Sequence, residues 1–239
     1  MSSCKSRMVY NYCANSMEPT DLTHNKIIRT LLSELNPTER SLIPQEIIHQ
    51  IFPNIQNSLF FKYSSYTKTI SSNYLNKGVK EWFGYSGLSH QFPSIPIVLT
   101  SLTLMFLRTN ERFQLILNGE VYKHSSKFMN RLSDAHFQNN NLISLEIIDY
   151  YFQFKGRKLE TFVNALNISF NLTSLTLICN SLFDIRGIAI ANALNNNTTL
   201  ITLTLIVNKF GTKTGEAFAN MLRQNVTLNN LNILDNIPP

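Results

Sequence analysis

Cysteine is scarce in this chain of 239 residues: Cys4, Cys13 and Cys179 are the three. An odd, sparse set builds no disulfide framework and fits a reduced, intracellular protein. Glycine is scarce too, and the eight glycines are dispersed, so no Gly-rich loop cradles a phosphate. The five histidines, His24, His49, His90, His124 and His136, lack metal-ligand spacing. Cys4, Cys13 and His24 fall in a polar tail and do not form a zinc motif. The longest apolar stretch, Ile95 to Leu107, is broken by Pro96, Thr100, Ser101 and Thr103. It is too short and too polar to span a bilayer. The first residues, MSSCKSRMVYNYCANS, have no apolar core of signal-peptide length, so a cytoplasmic location is the default expectation. The net charge is +6, but the basic residues are scattered (Lys5 and Arg7; Lys77 and Lys80; Lys155, Arg157 and Lys158). Without a dense basic block, the charge argues against nucleic acid as the partner. No catalytic residue, metal or cofactor is expected.

What the chain does have is a recurring phrase. It reads NLISLEII at 141–148, NLTSLTLI at 171–178, TLITLTLI at 199–206 and TLNNLNIL at 227–234. The phrase is anchored by Leu142, Leu172, Leu200 and Leu228, whose spacing is constant over the last two steps and slightly longer in the first. A fixed period of this length marks a stacked repeat architecture, which is built to present a surface.

Within each phrase the apolar positions alternate. Leu175 and Leu177 face one side of a short strand, while Ser174, Thr176 and Ile178 face the other. At the strand exit the backbone turns and leaves polar groups unpaired. A buried asparagine carries both donors and an acceptor and can satisfy them. Asn180, Asn208 and Asn236 are expected to form such a ladder, with Tyr150 as its imperfect first rung. Helical spacing follows each strand: Phe162, Val163 and Leu166; Ile188, Ala191 and Leu194; Phe218, Ala219 and Leu222. Cys179, beside Asn180, reads as a small packing residue. The sequons at Asn167, Asn171, Asn196, Asn197 and Asn225 read as turn composition that recurs with the repeat.

The spacing L-x-x-L-x-L-x-x-N-x-L, as in Leu172, Leu175, Leu177, Asn180 and Leu182, resembles the leucine-rich repeat family. The length of the period, with a full helix in each unit, is similar to that of the ribonuclease-inhibitor subclass. The resemblance implies an α/β solenoid, a horseshoe with parallel strands on the concave face and helices on the convex face. Regular repeats are expected over 141–239. Irregular ones are expected over 98–140, because LTSLTL at 99–104 is identical to LTSLTL at 172–177. Phe113, Leu115 and Leu117 read as a divergent strand or an insertion, and Lys123 to His136 as a degenerate helix.

Residues 1–20 read as a loose tail, and 21–95 as a mainly helical segment ahead of a boundary at Pro93 and Pro96. In that segment Pro44, Glu46, Ile47, Ile48, Ile51 and Phe52, with Val79 and Trp82 further on, resemble an F-box. The resemblance implies docking of a ubiquitin-ligase adaptor through Pro44, Glu46, Ile47, Ile48, Ile51 and Phe52. The alternative is a helical cap on the open end of the first repeat.

Three columns line the open face of the expected sheet. They are Ser144, Ser174, Thr202 and Asn230; Glu146, Thr176, Thr204 and Asn232; and Ile148, Ile178, Ile206 and Leu234. Hydroxyls beside an apolar row suit a protein partner of unknown identity. The apolar row is either open to that partner or covered by the strand-exit turn. The columns carry no Lys or Arg, which disfavours phosphate capture. The expected function is therefore non-enzymatic protein–protein interaction through the concave surface. A ubiquitin-ligase substrate receptor and a GTPase-activating or regulatory leucine-rich repeat protein are the alternatives.

Overall fold

A computed structural model describes residues 21–51, 63–119, 121–122, 141–148, 162–164, 166–167 and 171–236. The expected tail at 1–20, the degenerate helix at 123–136, Phe52 and Tyr150 lie outside the described residues.

Among the described residues the protein is a mixed α/β structure with a single sheet of six parallel strands in chain order. They are β1 (Thr69–Ser71), β2 (Phe113–Asn118), β3 (Leu142–Ile148), β4 (Ser174–Ile178), β5 (Thr202–Ile206) and β6 (Asn230–Asn232). The constant repeat step appears directly as register. Leu175 pairs with Leu203 and Leu203 with Leu231, while Ser174 pairs with Thr202 and Thr202 with Asn230. The longer first step is retained between β3 and β4, where Leu145 pairs with Leu175. Between β2 and β3 the register shifts, with Phe113 opposite Leu142 and Gln114 opposite Ser144.

Seven α-helices with defined bounds accompany the sheet among the described residues, and residues 162–164 and 166–167 are helical as well. The seven are α1 (Asp21–Ser33), α2 (Pro37–Arg40), α3 (Gln45–Ile51), α4 (Ser72–Tyr85), α5 (Ile95–Thr109), α6 (Phe183–Leu194) and α7 (Thr212–Leu222). Short 3₁₀ helices span Tyr63–Tyr66 and Ser89–Ser94. One apolar cluster runs from Ile28 and Leu32 through Trp82, Leu102, Leu117 and Leu175 to Phe218 and Met221. β4 and β5 alternate half-buried and buried positions, as the period-two reading predicts. Phe162 and Leu166 are buried and Val163 is half-buried. On α6, Ala191 and Leu194 are buried and Ile188 is half-buried.

Two expectations are overturned. The first is the strand at LTSLTL, 99–104, which lies in the middle of α5. Pro96 occupies the first turn of that helix, where a missing N–H costs nothing. The hydroxyls turn back onto the preceding turn: Thr100 donates to the Pro96 carbonyl at 2.7 Å, Ser101 to Ile97 at 3.2 Å and Thr103 to Leu99 at 2.8 Å. With their polar groups met internally, all six residues except half-buried Leu104 are buried. Thr103 also bonds the hydroxyl of fully buried Tyr122 at 3.0 Å, and burial pushes the Tyr122 ionisation well upward. The stretch Ser89–Thr109 is long and apolar enough to cross a membrane by length and composition, and the buried α5 residues are part of the core cluster. The second correction concerns α7, where Phe218 and Met221 are buried while Ala219 and Leu222 are exposed. No helix packs against the outer side of α7 among the described residues.

The N-terminal helices are fastened to α5 through a carboxylate. Asn36 caps α2 in a reciprocal box: its side-chain oxygen accepts from the Glu39 N–H, and Glu39 accepts from the Asn36 N–H, both at 2.8 Å. Arg108 of α5 then donates to the same Glu39 carboxylate at 2.7 and 3.0 Å, and to the Glu34 carbonyl at 3.1 Å. The Glu39 hydrogen bond raises the Arg108 pKa above its usual value. β1 pairs with β2, so the sheet extends into the helical segment.

Candidate functional site

Backbone geometry at the strand exits fixes the shape of the sheet's polar face. Asn180 donates from Nδ2 to the Ile147 and Ile178 carbonyls, each at 3.0 Å. Asn208 repeats this to Leu177 at 2.8 Å and Ile206 at 3.1 Å. Asn236 repeats it again to Leu205 at 2.5 Å. The side-chain oxygens of Asn208 and Asn236 accept from the previous rung: the Asn180 N–H reaches Asn208 Oδ1 at 3.1 Å, and the Asn208 N–H reaches Asn236 Oδ1 at 2.6 Å. The expected ladder is therefore present, and Tyr150, its expected first rung, is outside the described residues. Residues on both sides of the rungs adopt left-handed backbone: Cys179, Val207 and Asp235 at φ 57°, 55° and 54°, and Ser181 and Lys209 at 48° and 62°. Half-buried Cys179 is thus a turn residue whose position is set by the rung beside it.

A second asparagine series, read from the sequence only as turn composition, stands at the helix-to-strand turns. Asn197 donates to the Leu166 carbonyl at 2.7 Å and accepts from the Leu200 N–H at 2.8 Å. Asn225, one repeat on, donates to the Leu194 carbonyl at 2.6 Å and accepts from the Leu228 N–H at 2.8 Å. The recurrence of N-x-T at a fixed offset before Leu200 and Leu228 was the available signal. Their side-chain amides are committed to the fold.

Between these fixed ends lie the three columns, and the register aligns them. Ser144 pairs with Ser174, Ser174 with Thr202, and Thr202 with Asn230. Glu146 pairs with Thr176, Thr176 with Thr204, and Thr204 with Asn232. Ile148 pairs with Ile178 and Ile178 with Ile206. Leu234 lies just beyond β6, tied by its carbonyl to the Val207 N–H at 3.3 Å and by its N–H to Asn232 Oδ1 at 3.1 Å. The sequence missed the continuation of these rows: Thr69 and Gln114 extend the first, Ser71 and Ile116 the second, and Asn118 the third. The alternation of Phe113, Leu115 and Leu117 pointed to β2, whereas three-residue β1 carries too short a pattern to read.

Exposure is graded along the rows. Ile148 is 6% exposed, Ile178 and Ile206 are half-buried, and Leu234 is 63% exposed. Glu146 is 8% exposed and makes no hydrogen bond or ion pair among the described residues; burial raises its carboxyl pKa. Ser174, Thr176, Thr202, Thr204 and Asn232 are half-buried, and Asn230 is exposed, donating to Thr202 Oγ1 at 3.4 Å. The accessible part of the face is thus β4 to β6. Neighbouring strands stand about 4.8 Å apart, so its hydroxyls form two donor–acceptor rows beside an apolar one.

The residues of the expected adaptor site are divided. Ile47 is fully buried in the common core, with Ile43, Val79 and Trp82. Pro44 and Ile48 are half-buried, Glu46 is exposed, and Ile51 ends α3. No group of three His, Cys, Asp or Glu side chains with metal-binding proximity occurs among the described residues. Compared with protein-family models, curated proteins and solved structures, the chain finds no significant match.

Proposed function

We propose that this chain is a leucine-rich-repeat interaction module of the ribonuclease-inhibitor-like kind, a horseshoe that binds a protein partner through the concave face at β4 to β6. The observation that carries the reading is the in-register set of rows: hydroxyls of Ser174 and Thr202, hydroxyls of Thr176 and Thr204, and the apolar side chains of Ile178, Ile206 and Leu234. Such a face offers neutral hydrogen bonding around an apolar strip, the composition of a protein-contact patch. The rows contain no lysine or arginine, so nothing in them neutralises a phosphate. Rigidity favours the reading as well. The exits of β4, β5 and β6 and the entries of β5 and β6 are pinned by buried or half-buried asparagines, so a partner meets a preformed surface and little ordering is lost on binding.

The test is comparative co-purification of the full chain and two variants. Thr176→Arg with Thr204→Arg places charge in the hydroxyl row, and Glu216→Arg changes exposed α7 instead. Loss of the same bound protein from the row variant alone supports the reading. Equal recovery from all three contradicts it.

A further inference from the structure

A single charged side chain interrupts the polar face of the sheet. Glu146, in the middle of β3, is 8% exposed, and it is the one charged residue that the register places in the aligned rows of the described strands. Ile116 of β2 and Thr176 of β4 stand opposite it. Ser144, two residues before it on the same face, pairs with Ser174. Among the described residues the carboxylate makes no hydrogen bond or ion pair, and the hydroxyls of Ser144, Ser174 and Thr176 make no hydrogen bond either. Burial raises the Glu146 pKa, with no donor or neighbouring charge to offset it. Four polar groups therefore meet in a patch one strand spacing wide, about 4.8 Å, and two residues long, about 7 Å.

An ionised carboxylate withdrawn from water without a counter-charge opposes folding. Departures of this kind concentrate at functional sites. The complementary charge is positive, and the surroundings favour a guanidinium over an ammonium. A guanidinium carries five N–H donors in a planar fork. Two of them meet a carboxylate side by side, and the rest are left for neutral acceptors. Around Glu146 those acceptors are the three hydroxyls, each with lone pairs to give. Half-buried Ile116 and Ile178 lie beside the patch on the same face, and apolar side chains of this kind receive the methylene stem of an arginine. An ammonium is a compact, strongly hydrated charge and gains less from the arrangement.

We infer that Glu146 anchors an arginine-recognition site at the β3 edge of the concave face, with Thr176, Ser144 and Ser174 as its neutral acceptors. The inference rests on the proposed reading of that face and narrows it: the partner is a protein that presents an arginine to β3 and β4. The first arm of the experiment needs no partner. The full chain, labelled with carbon-13 at its glutamate carboxyls, is titrated with arginine amide and separately with lysine amide, and Glu146→Gln assigns the Glu146 signal by its loss. Arginine amide is expected to shift that signal saturably in the millimolar range, as suits one ion pair and a few hydrogen bonds, and lysine amide to shift it less. No saturable shift, a shift shared equally by the other glutamates, or an equal response to lysine amide would overturn the inference. The second arm separates it from the reading beneath it. Glu146→Gln is expected to hold about tenfold less of the protein that the Thr176→Arg, Thr204→Arg variant loses. Full recovery by Glu146→Gln, with that variant still losing the protein, overturns the arginine site and leaves the face reading standing. Recovery unaffected by the row variant counts against the face reading, and the amide titration then decides the site by itself.

Discussion

The Asn208 side chain bridges two neighbouring repeats: Oδ1 accepts from the Asn180 N–H at 3.1 Å while Nδ2 donates to the Leu177 carbonyl at 2.8 Å. It is completely buried. Replacing it leaves backbone groups of both β4 and β5 exits without partners. We expect Asn208→Leu to lower the unfolding free energy by about 3 kcal/mol or more, since each buried unsatisfied group costs about 1–3 kcal/mol. Urea unfolding measures this. A variant with wild-type stability would show that the ladder is not what holds the turns.

Equivalent glycines of successive repeats, Gly187 and Gly215, have opposite expectations. Gly187→Ala drives a methyl into Thr214 and Phe210, and overpacking of this kind costs about 1–3 kcal/mol. Gly215→Ala meets open space, and the better helix former is worth about 1 kcal/mol in the other direction. Thermal melts of the two variants are expected to move to opposite sides of the wild type. Movement to the same side contradicts the stacking of α7 on α6.

Val207 is a β-branched residue at φ 55°, an arrangement the ladder imposes on it. A left-handed non-glycine residue costs about 1–2 kcal/mol. Val207→Gly removes that strain but adds chain entropy to the unfolded state, worth about 0.4–1 kcal/mol. The expected net change is a small gain of about 1 kcal/mol or less, measured by chemical denaturation. A clear loss would mean that the half-buried Val207 side chain contributes more by packing than its backbone costs.

Much of this architecture is legible in the residues. The recurring phrase gives the register of β4 to β6, and the asparagine after each strand gives the ladder. LTSLTL shows where such reading stops. At 172–177 the hexapeptide lies between Asn171 and Asn180, two closely spaced turn signals, and forms an approach to β4 and most of that strand. At 99–104 it has Pro96 before it and Met105, Phe106 and Leu107 after it, and no turn residue until Asn110, so the run is long enough for a helix that is buried nearly all round. Periodicity within one hexapeptide cannot separate these outcomes; the flanks do. Leu222 illustrates a second limit. Its pattern matches buried Leu194, but burial needs a neighbour, and the stack of described helices ends at α7. Glu146 is the reverse case, a carboxylate in a polar column whose burial no local pattern announces.

Two carboxyls give stability opposite dependence on pH. Hydrogen bonds from Thr214 and the Gly211 N–H hold the Asp184 pKa below the usual aspartate value. The folded state therefore favours ionised Asp184, and this stabilisation is complete above about pH 4 and lost as pH falls through the lower folded value. Burial raises the Glu146 pKa, so ionised Glu146 opposes folding at neutral pH and that cost disappears as pH falls to about 4. Denaturant midpoints across about pH 3 to 8 are expected to show Glu146→Gln more stable than wild type at neutral pH and equal to it near pH 4. Asp184→Asn is expected to be less stable at neutral pH and to lose the acid decline. Parallel curves for all three proteins would contradict both assignments.

Site-specific photo-crosslinking tests the binding face most directly. A photoreactive amino acid is placed at Thr204, in the centre of the accessible rows, and separately at Glu216 on exposed α7. Under irradiation in the source cells, the Thr204 probe is expected to capture one discrete protein, and Thr176→Arg in the same chain is expected to abolish that capture. The Glu216 probe is expected to leave that protein uncaptured. Capture of the partner from Glu216 but not from Thr204 would contradict the assignment of the sheet face as the binding surface.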